Sequence, residues 1–273
     1  GRAGLLFISW FLAVFFVFSG LLPVQAASTR DLKTGKELYD AACATCHGLD
    51  GRGAPQHQLG FDLPPADFTD CNFATREPDA DWLAVAHGGG PMRGFARLMP
   101  AFGGVLTYEE LSLVVTHIRT FCPDRNWPRG DLNLPRAMFT EKAFPEDEIV
   151  YTAGFLTEGS GEFSNELIYE KRFGARNQFE LVVPFNWHEL PTGENGADDW
   201  NGGVGDIALN VKRALFHSFE KGSIFAVTGE VIMPTGNEEK GFGKGTAIFE
   251  PFVSYGQLLP SDFFLHSQAG FEF

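Results

Sequence analysis

Cys43-Ala44-Thr45-Cys46-His47 decides how the first half of the chain folds. Two cysteines three apart, followed at once by histidine, form the spacing used for covalent attachment of a c-type haem. Each thiol adds to a vinyl group on one porphyrin edge. Two intervening residues turn the backbone so that both sulfurs reach that edge, and His47 then falls under the iron as proximal ligand. Two other readings compete with it. A structural zinc site wants a second ligand pair at similar spacing, which the sequence lacks. A thioredoxin-like site wants surrounding βαβ periodicity, also missing.

Outward from this motif, residues 31 to 122 follow helical periodicity. Gly35-Lys36-Glu37-Leu38-Tyr39 precedes the motif and reads as one helix, with Gly35 allowing close approach by a neighbour. A second helix starts after Pro78-Asp79, carries Trp82, Leu83 and Val85, and stops at Gly88-Gly89-Gly90. Thr107-Tyr108-Glu109-Glu110 has capping-box spacing. The helix it opens carries Leu111, Val114, Val115 and Ile118 at i, i+3, i+4 and i+7. The sixth iron ligand should be a thioether or an imidazole, and Met92, Met99, His57, His87 and His117 are the candidates. Met99 is favoured, because Pro100-Ala101-Phe102-Gly103-Gly104 makes a loop free of helical constraint; Met92 is the rival. A His47/Met99 pair would fill both axial positions and suit electron transfer rather than small-molecule activation.

Together, Gly35-Lys36-Glu37-Leu38-Tyr39, Cys43-Ala44-Thr45-Cys46-His47-Gly48, Gly51-Arg52-Gly53, Met99-Pro100-Ala101-Phe102 and the capped last helix resemble a class I cytochrome c over about residues 31–122. The resemblance implies one haem c, an axial methionine at Met99, and a crossing of the helix around Gly35 and Tyr39 with the stretch from Val114 to Arg119.

Before the motif, Arg2 and an apolar run from Leu5 to Leu22 end in Val24-Gln25-Ala26, an A-x-A-like cleavage site. An export signal over residues 1–27 is expected, with an uncleaved anchor as the alternative. Export to an oxidising compartment permits a disulfide between Cys71 and Cys122, the two cysteines outside the motif.

Composition agrees with an exported protein of two parts. The chain has 273 residues and a formal charge of -14, from 21 Lys+Arg against 35 Asp+Glu. So acidic a balance argues against nucleic acid as a partner. The 28 Phe and 32 Gly fit short strands and turns rather than an all-helical chain.

The strands lie past a Pro-rich connector, residues 123–147. From residue 148 the period changes to two. Phe179, Leu181, Val183, Phe185 and Trp187 share one face, opposite Gln178, Glu180, Asn186 and His188. Ile207, Leu209, Val211 and Leu215 oppose Asp206, Asn210 and Lys212, with Arg213 interrupting the apolar side. Phe225, Val227, Val231 and Met233 oppose Thr228 and Glu230; Phe249, Val253 and Tyr255 oppose Glu250 and Ser254; Phe263, Leu265, Phe271 and Phe273 oppose His266, Gln268 and Glu272. Runs of about ten residues, apolar on one side and polar on the other, are the dyad pattern of an outer-membrane β-barrel, with Trp187 and Trp200 placed for an interfacial girdle. A soluble sandwich also alternates and is the competing expectation. Gly202-Gly203-Val204-Gly205-Asp206-Ile207-Ala208-Leu209-Asn210-Val211-Lys212, with Met233-Pro234-Thr235-Gly236, resembles outer-membrane transporter barrels associated with phenol degradation, over about residues 148–273.

The expected architecture is therefore a multidomain α plus β chain: a signal at 1–27, an all-α cytochrome c domain at 28–122, a connector at 123–147, and a partial antiparallel membrane β-barrel of about seven strands at 148–273. A closed single-chain barrel has at least eight, so the sequence is expected to continue beyond Phe273. The expected role is an electron carrier rather than an enzyme, since no second haem motif, dinucleotide glycine pattern or catalytic triad is present. The cofactor would be haem c on Cys43, Cys46, His47 and Met99. The partners would be a periplasmic or extracellular redox protein and outer-membrane lipid. In architecture this resembles fused cytochrome–porins that pass electrons across the outer membrane. The alternative is an outer-membrane solute or metal transporter with an accessory cytochrome domain.

Overall fold

The computed structural model describes residue 32 and residues 34–136, 140–156, 161–190, 199–261 and 263–273. The export segment lies outside them. An α-helical domain comes first: α1 (Gly35–Ala42), α2 (Ala44–His47), α3 (Cys71–Ala74), α4 (Asp79–Gly88) and α5 (Tyr108–Ile118). Local chemistry sets these boundaries. Thr34 caps α1 and Thr107 caps α5, each in a complete capping box with the glutamate three residues on. Pro78 starts α4, and Gly89, at φ 83°, ends it in a backbone region few other residues adopt.

α1 crosses α5. A Cβ at Gly35 would overlap the Leu113 carbonyl, so the crossing needs glycine. Leu38, Tyr39, Phe68, Leu106, Leu111, Val114 and Ile118 form the buried core at that crossing. Tyr39 packs edge-on against His117, 5.3 Å between ring centroids, and tilted against Phe121 at the same distance. Cys71 and Cys122 form a disulfide across 51 residues of chain, tying α3 to the end of the last helix. Among the described residues no helix is long and apolar enough to cross a membrane, which does not bear on crossing by strands.

The second half is one antiparallel curled sheet, a half-barrel. Its strands are β1 (Ile149–Leu156), β2 (Glu162–Phe173), β3 (Asn177–Leu190), β4 (Asp199–Val204), β5 (Ile207–Ser218), β6 (Ser223–Met233), β7 (Ile248–Leu258) and β8 (Phe264–Gly270). The order is β1-β2-β3-β5-β6-β7-β8, with β4 also on β3. The long β3 explains this arrangement. Residues 177–182 pair with β5, while 185–190 pair with β4. β4 and β5 thus follow one another along the same neighbour, broken at Gly205-Asp206, where the Gly205 amide donates to the Pro184 carbonyl. Among the described residues this makes seven strand positions, in line with the about seven that the alternation predicts.

The faces fall by parity. Even-numbered residues such as Glu170, Gln178, Asn210, Lys212, Thr228 and Ser254 are buried on the concave side. Odd-numbered Leu167, Tyr169, Val211, Val227, Val231 and Phe249 are exposed on the convex side. Arg213 stands on the convex side next to Asn177, at the first residue of β3. Phe155, Phe163 and Trp187 stack in sequence across three strands, at 4.5 and 5.6 Å, towards the other rim.

Residues of the connector lie inside this curve. Leu132, Ala143 and Phe144 form a core cluster with Ala214, Ile224 and Ala226 of the sheet. Leu132, 1% exposed, is as buried as Leu38 or Leu111 of the helical core. Proline-rich spacing suggests a spacer; the apolar residues within it make it a filling for the concave face instead.

Candidate functional site: a haem-binding motif

α1 delivers the chain to the Cys-x-x-Cys-His turn. The Cys43 amide still donates to the Tyr39 carbonyl at 2.8 Å, and the single turn of α2 then carries Cys46 and His47. The Tyr39 hydroxyl, buried under α1, donates to the Gly48 carbonyl at 2.7 Å and holds the exit of the motif. Two backbone bonds fold the following loop back: Gly53 N–H to the His47 carbonyl, 2.9 Å, and Ala54 N–H to Cys46, 2.8 Å. Gly48, Gly51 and Gly53 all sit at positive φ in that loop, which accounts for the Gly48-x-x-Gly51-x-Gly53 spacing.

Cys43 and Cys46 are half-buried free thiols, while the other two cysteines are joined. Burial first, and then the neighbouring Cys46, push the Cys43 thiol up to about 11, so it stands as a neutral thiol. The His47 ring stacks on Phe68, 4.6 Å between centroids and 20° between planes. Its Nδ1 is buried. Burial lowers the His47 pKa from its ordinary value, and the Ala66 carbonyl only partly opposes this. A desolvated, neutral imidazole is the form that binds a metal.

The Met99 loop docks on the end of α4. Gly90 N–H donates to the Met99 carbonyl at 3.1 Å, Phe102 N–H to Ala86 and Gly103 N–H to His87, both at 3.0 Å. Phe102 and Ala86 pack on the same core as Cys43 and Ala44, so this loop and the Cys-x-x-Cys-His turn share one core. Met99 is half-buried. Met92 is 59% exposed and lies over Gly88, where a Cβ would overlap its side chain. His57 is exposed in a 3-10 turn. His87 stacks on Tyr108 at 4.6 Å, and His117 packs between Tyr39 and Phe121.

These residues fit a haem. Two unpaired thiols and a buried, desolvated imidazole stand in a single helical turn. The two loops that follow and oppose it leave Leu49, Leu63, Phe95 and Leu98 exposed, apolar surface of the kind a porphyrin covers. The helical half is similar to a c-type cytochrome domain. Residues 30–118 match the family model described as Cytochrome C oxidase, cbb3-type, subunit III. Residues 157–273 match the one described as Putative MetA-pathway of phenol degradation, an outer-membrane-like sheet. No curated protein matches the chain. The cytochrome family implies haem c.

The cytochrome domain sits on one end of the sheet through contacts that sequence patterns did not single out. Arg172 of β2 reaches the Thr75 hydroxyl and the Pro128 carbonyl, both at 3.4 Å, and stacks 4.8 Å from the Trp127 ring. Arg119, at the end of α5, donates to the Ala74 and Glu77 carbonyls and to Asp79 at 2.8 Å. Asp79 also pairs with Arg129 at 2.7 Å, and Arg129 stacks on Phe219 in the β5–β6 turn, 3.9 Å away. None of these has a local motif; they become visible only once the two halves are packed. The nearest sequence signal was the arginine content of residues 119–136.

Proposed function

We propose that the chain is an outer-membrane electron carrier, with haem c joined covalently to Cys43 and Cys46 and held by His47 and Met99, in a cytochrome domain on the periplasmic side. When bound, the haem supplies one reversible electron at a time. The chain's own residues do the rest. Tyr39 and Gly53 fix the motif, Phe68 orients the His47 ring, and the Gly89–Gly90 backbone seats the Met99 loop. A redox protein docking briefly at the edge left open by the 49–63 and 92–105 loops would be the electron partner.

One observation carries the orientation. The sheet joins β2 to β3 and β5 to β6 by three and four residues, 174–176 and 219–222, whereas β6 and β7 are joined by fourteen, 234–247. The cytochrome domain contacts the short-turn end, where Arg172 reaches the Thr75 hydroxyl at 3.4 Å, and the connector beside it adds Arg176 to the Asn126 carbonyl at 3.1 Å and Arg129 over Phe219. Outer-membrane barrels have short turns on the periplasmic side and long loops outside. The apolar convex face and the stacked aromatics near the far rim agree with a lipid boundary.

The polar, filled concave side keeps a transporter with an accessory cytochrome as the second reading. Three measurements separate the possibilities. Haem staying with the polypeptide through acid–acetone extraction supports covalent attachment; complete extraction ends it. Loss of the weak far-red Met–iron band in Met99→Ala but not in Met92→Ala supports Met99, and the reverse assigns Met92. Protease reaching the cytochrome domain only after outer-membrane permeabilisation supports the periplasmic placement; cleavage in intact cells overturns it.

A further inference from the structure

Arg213 sets a charge into the convex face that electron transfer does not use. Strand register places it in one cross-strand row with Phe173, Asn177 and Val227. Phe173, Val227 and Val211, two residues earlier on β5, are exposed apolar side chains. A charge on a lipid-facing strand is costly at the bilayer midplane and tolerated near its surface. Arg213 stands near the surface, because its partner Asn177 is the first residue of β3 and directly follows the short turn 174–176.

Beside Arg213, where the connector meets the short-turn end, lies a cavity of about 430 Å³. Asp124, Asn126, Trp127, Arg176, Asn177 and Arg213 line it. Among the described residues, every hydrogen-bond partner of its two guanidiniums is neutral. Arg213 Nη1 donates to Asn177 Oδ1 at 2.8 Å. Arg176 Nε and Nη2 donate to the Asn126 carbonyl and Oδ1 at 3.1 and 3.2 Å, and its Nη1 to the Leu215 carbonyl at 3.4 Å. Arg76, Arg119, Arg129 and Arg136, by contrast, each hold a carboxylate. Asp124 is the one carboxylate lining the cavity among the described residues. Its Oδ1 accepts from the Asn126 backbone N–H at 3.0 Å and from Asn126 Nδ2 at 2.9 Å. Two positive groups against one negative leave this cavity positive, in a chain of net charge -14.

We propose that Arg176 and Arg213 bind the phosphodiester of an anionic phospholipid headgroup at the periplasmic rim of the sheet. A guanidinium presents planar, paired donors that match phosphate oxygens. Asn177 and Asn126 hold the two side chains in place, so these donors are positioned before the lipid arrives. The exposed Phe173, Val211 and Val227 continue the convex face around the site, where the acyl chains would lie. The excess positive charge favours a headgroup of net negative charge over a zwitterionic one. Asn126 and Trp127 belong to the connector, so the same lipid would fix the cytochrome domain at the membrane surface. The inference rests on the outer-membrane reading of the sheet and not on the haem.

The test titrates the full-length holoprotein in detergent with phosphatidylglycerol or phosphatidylcholine, read by native mass spectrometry. Phosphatidylglycerol is expected to bind at least fivefold more tightly. That preference should be lost in Arg213→Gln and in Arg176→Gln, and kept in Lys244→Gln, in the long 234–247 loop. An unchanged haem spectrum and heat-dependent electrophoretic mobility report folding. Should Arg176→Gln fail there, Arg213→Gln decides, since that side chain is exposed and bonds only Asn177 among the described residues. Equal affinity for the two lipids overturns the proposal, as does equal preference in wild type and Arg213→Gln, or equal loss in Lys244→Gln. Displacement of the lipid by an equal concentration of inorganic phosphate also overturns it, by assigning the cavity to a free anion. Flotation on phosphatidylcholine vesicles separates this site from the reading beneath it. A chain that floats without the preference has the membrane sheet but not the headgroup site; one that does not float has neither.

Discussion

Arg76 Nη2 lies 2.8 Å from Asp147 Oδ2, and this ion pair crosses from the cytochrome domain to the residue that leads into the sheet. Lys171 of β2 takes the other oxygen of the same carboxylate at 3.0 Å. Asp147 is nearly buried, its side chain 10% exposed, whereas Arg76 is about a third exposed. An exposed pair contributes about 0–1 kcal/mol, and breaking a buried one costs about 3–5 kcal/mol. This pair lies between, so Asp147→Asn should destabilise the docked arrangement by about 1–2 kcal/mol. A double-mutant cycle with Arg76→Gln should give a coupling of similar size in denaturant unfolding. Faster proteolysis around residues 123–130 should accompany it. Additive single effects would mean that the two halves are held elsewhere.

The Cys71–Cys122 disulfide bridges a sequence separation of 51 and encloses α4, the Met99 loop and α5. Loops of that size give about 2–4 kcal/mol by restricting the unfolded chain. Replacing both cysteines by serine should lower stability by that amount while the protein still takes up haem, since neither residue belongs to the Cys-x-x-Cys-His turn. Wild type in reductant should match the double variant in urea unfolding. If reductant shifts the midpoint of the double variant too, the stabilising bond is not this one.

The helical domain was legible because its signals are local. The capping box at Thr107, the glycine stop after α4 and the Cys-x-x-Cys-His turn each occupy a few consecutive residues, and each stands where the sequence places it. The strand faces were equally legible, since a period of two sets the alternation within each strand, and Glu180, Lys212 and Thr228 fall on the polar side as read. What local patterns hid was everything that depends on pairing across distance. Phe68 stacks on His47 from 21 residues away with no motif to announce it. Leu132 and Phe144 sit among prolines and polar residues, and only the curl of the sheet turns them into a core. The division of β3 between β4 and β5 follows from strand length and from the Gly205-Asp206 break, neither of which alternation alone reveals.

His117 offers a pH test of the α1–α5 crossing. Burial first, with Lys36 adding and Asp40 opposing, lowers its pKa from the ordinary histidine value. The folded protein therefore prefers the neutral ring more than the unfolded chain does. Its contribution to stability is complete above the unfolded pKa, about 6.5, and is lost as pH falls from there towards the lower folded value. Wild type should lose more stability between pH 7.5 and pH 5.5 than His117→Gln does. An NMR titration should place the His117 midpoint below the ordinary histidine value of about 6.5. A midpoint at or above about 6.5 would contradict the packing of this ring between Tyr39 and Phe121.

Gly35 tests the same crossing sterically. An alanine inside a helix normally stabilises by about 1 kcal/mol relative to glycine. At Gly35 the added Cβ would overlap the Leu113 carbonyl and approach the His117 Cβ to 3.3 Å. The obstruction is backbone of a helix buried by Leu111, Val114 and Val115, so it cannot swing aside as a flexible side chain would. Overpacking of this kind costs about 1–3 kcal/mol, enough to reverse the sign. Gly35→Ala should lower the unfolding midpoint, whereas Gly104→Ala, where nothing lies within 4 Å of the added atom, should change stability by less than about 0.5 kcal/mol. If Gly35→Ala is as stable as Gly104→Ala, α1 and α5 do not approach at backbone distance, and the packing that seats Tyr39 beneath the Cys-x-x-Cys-His turn would have to be redrawn.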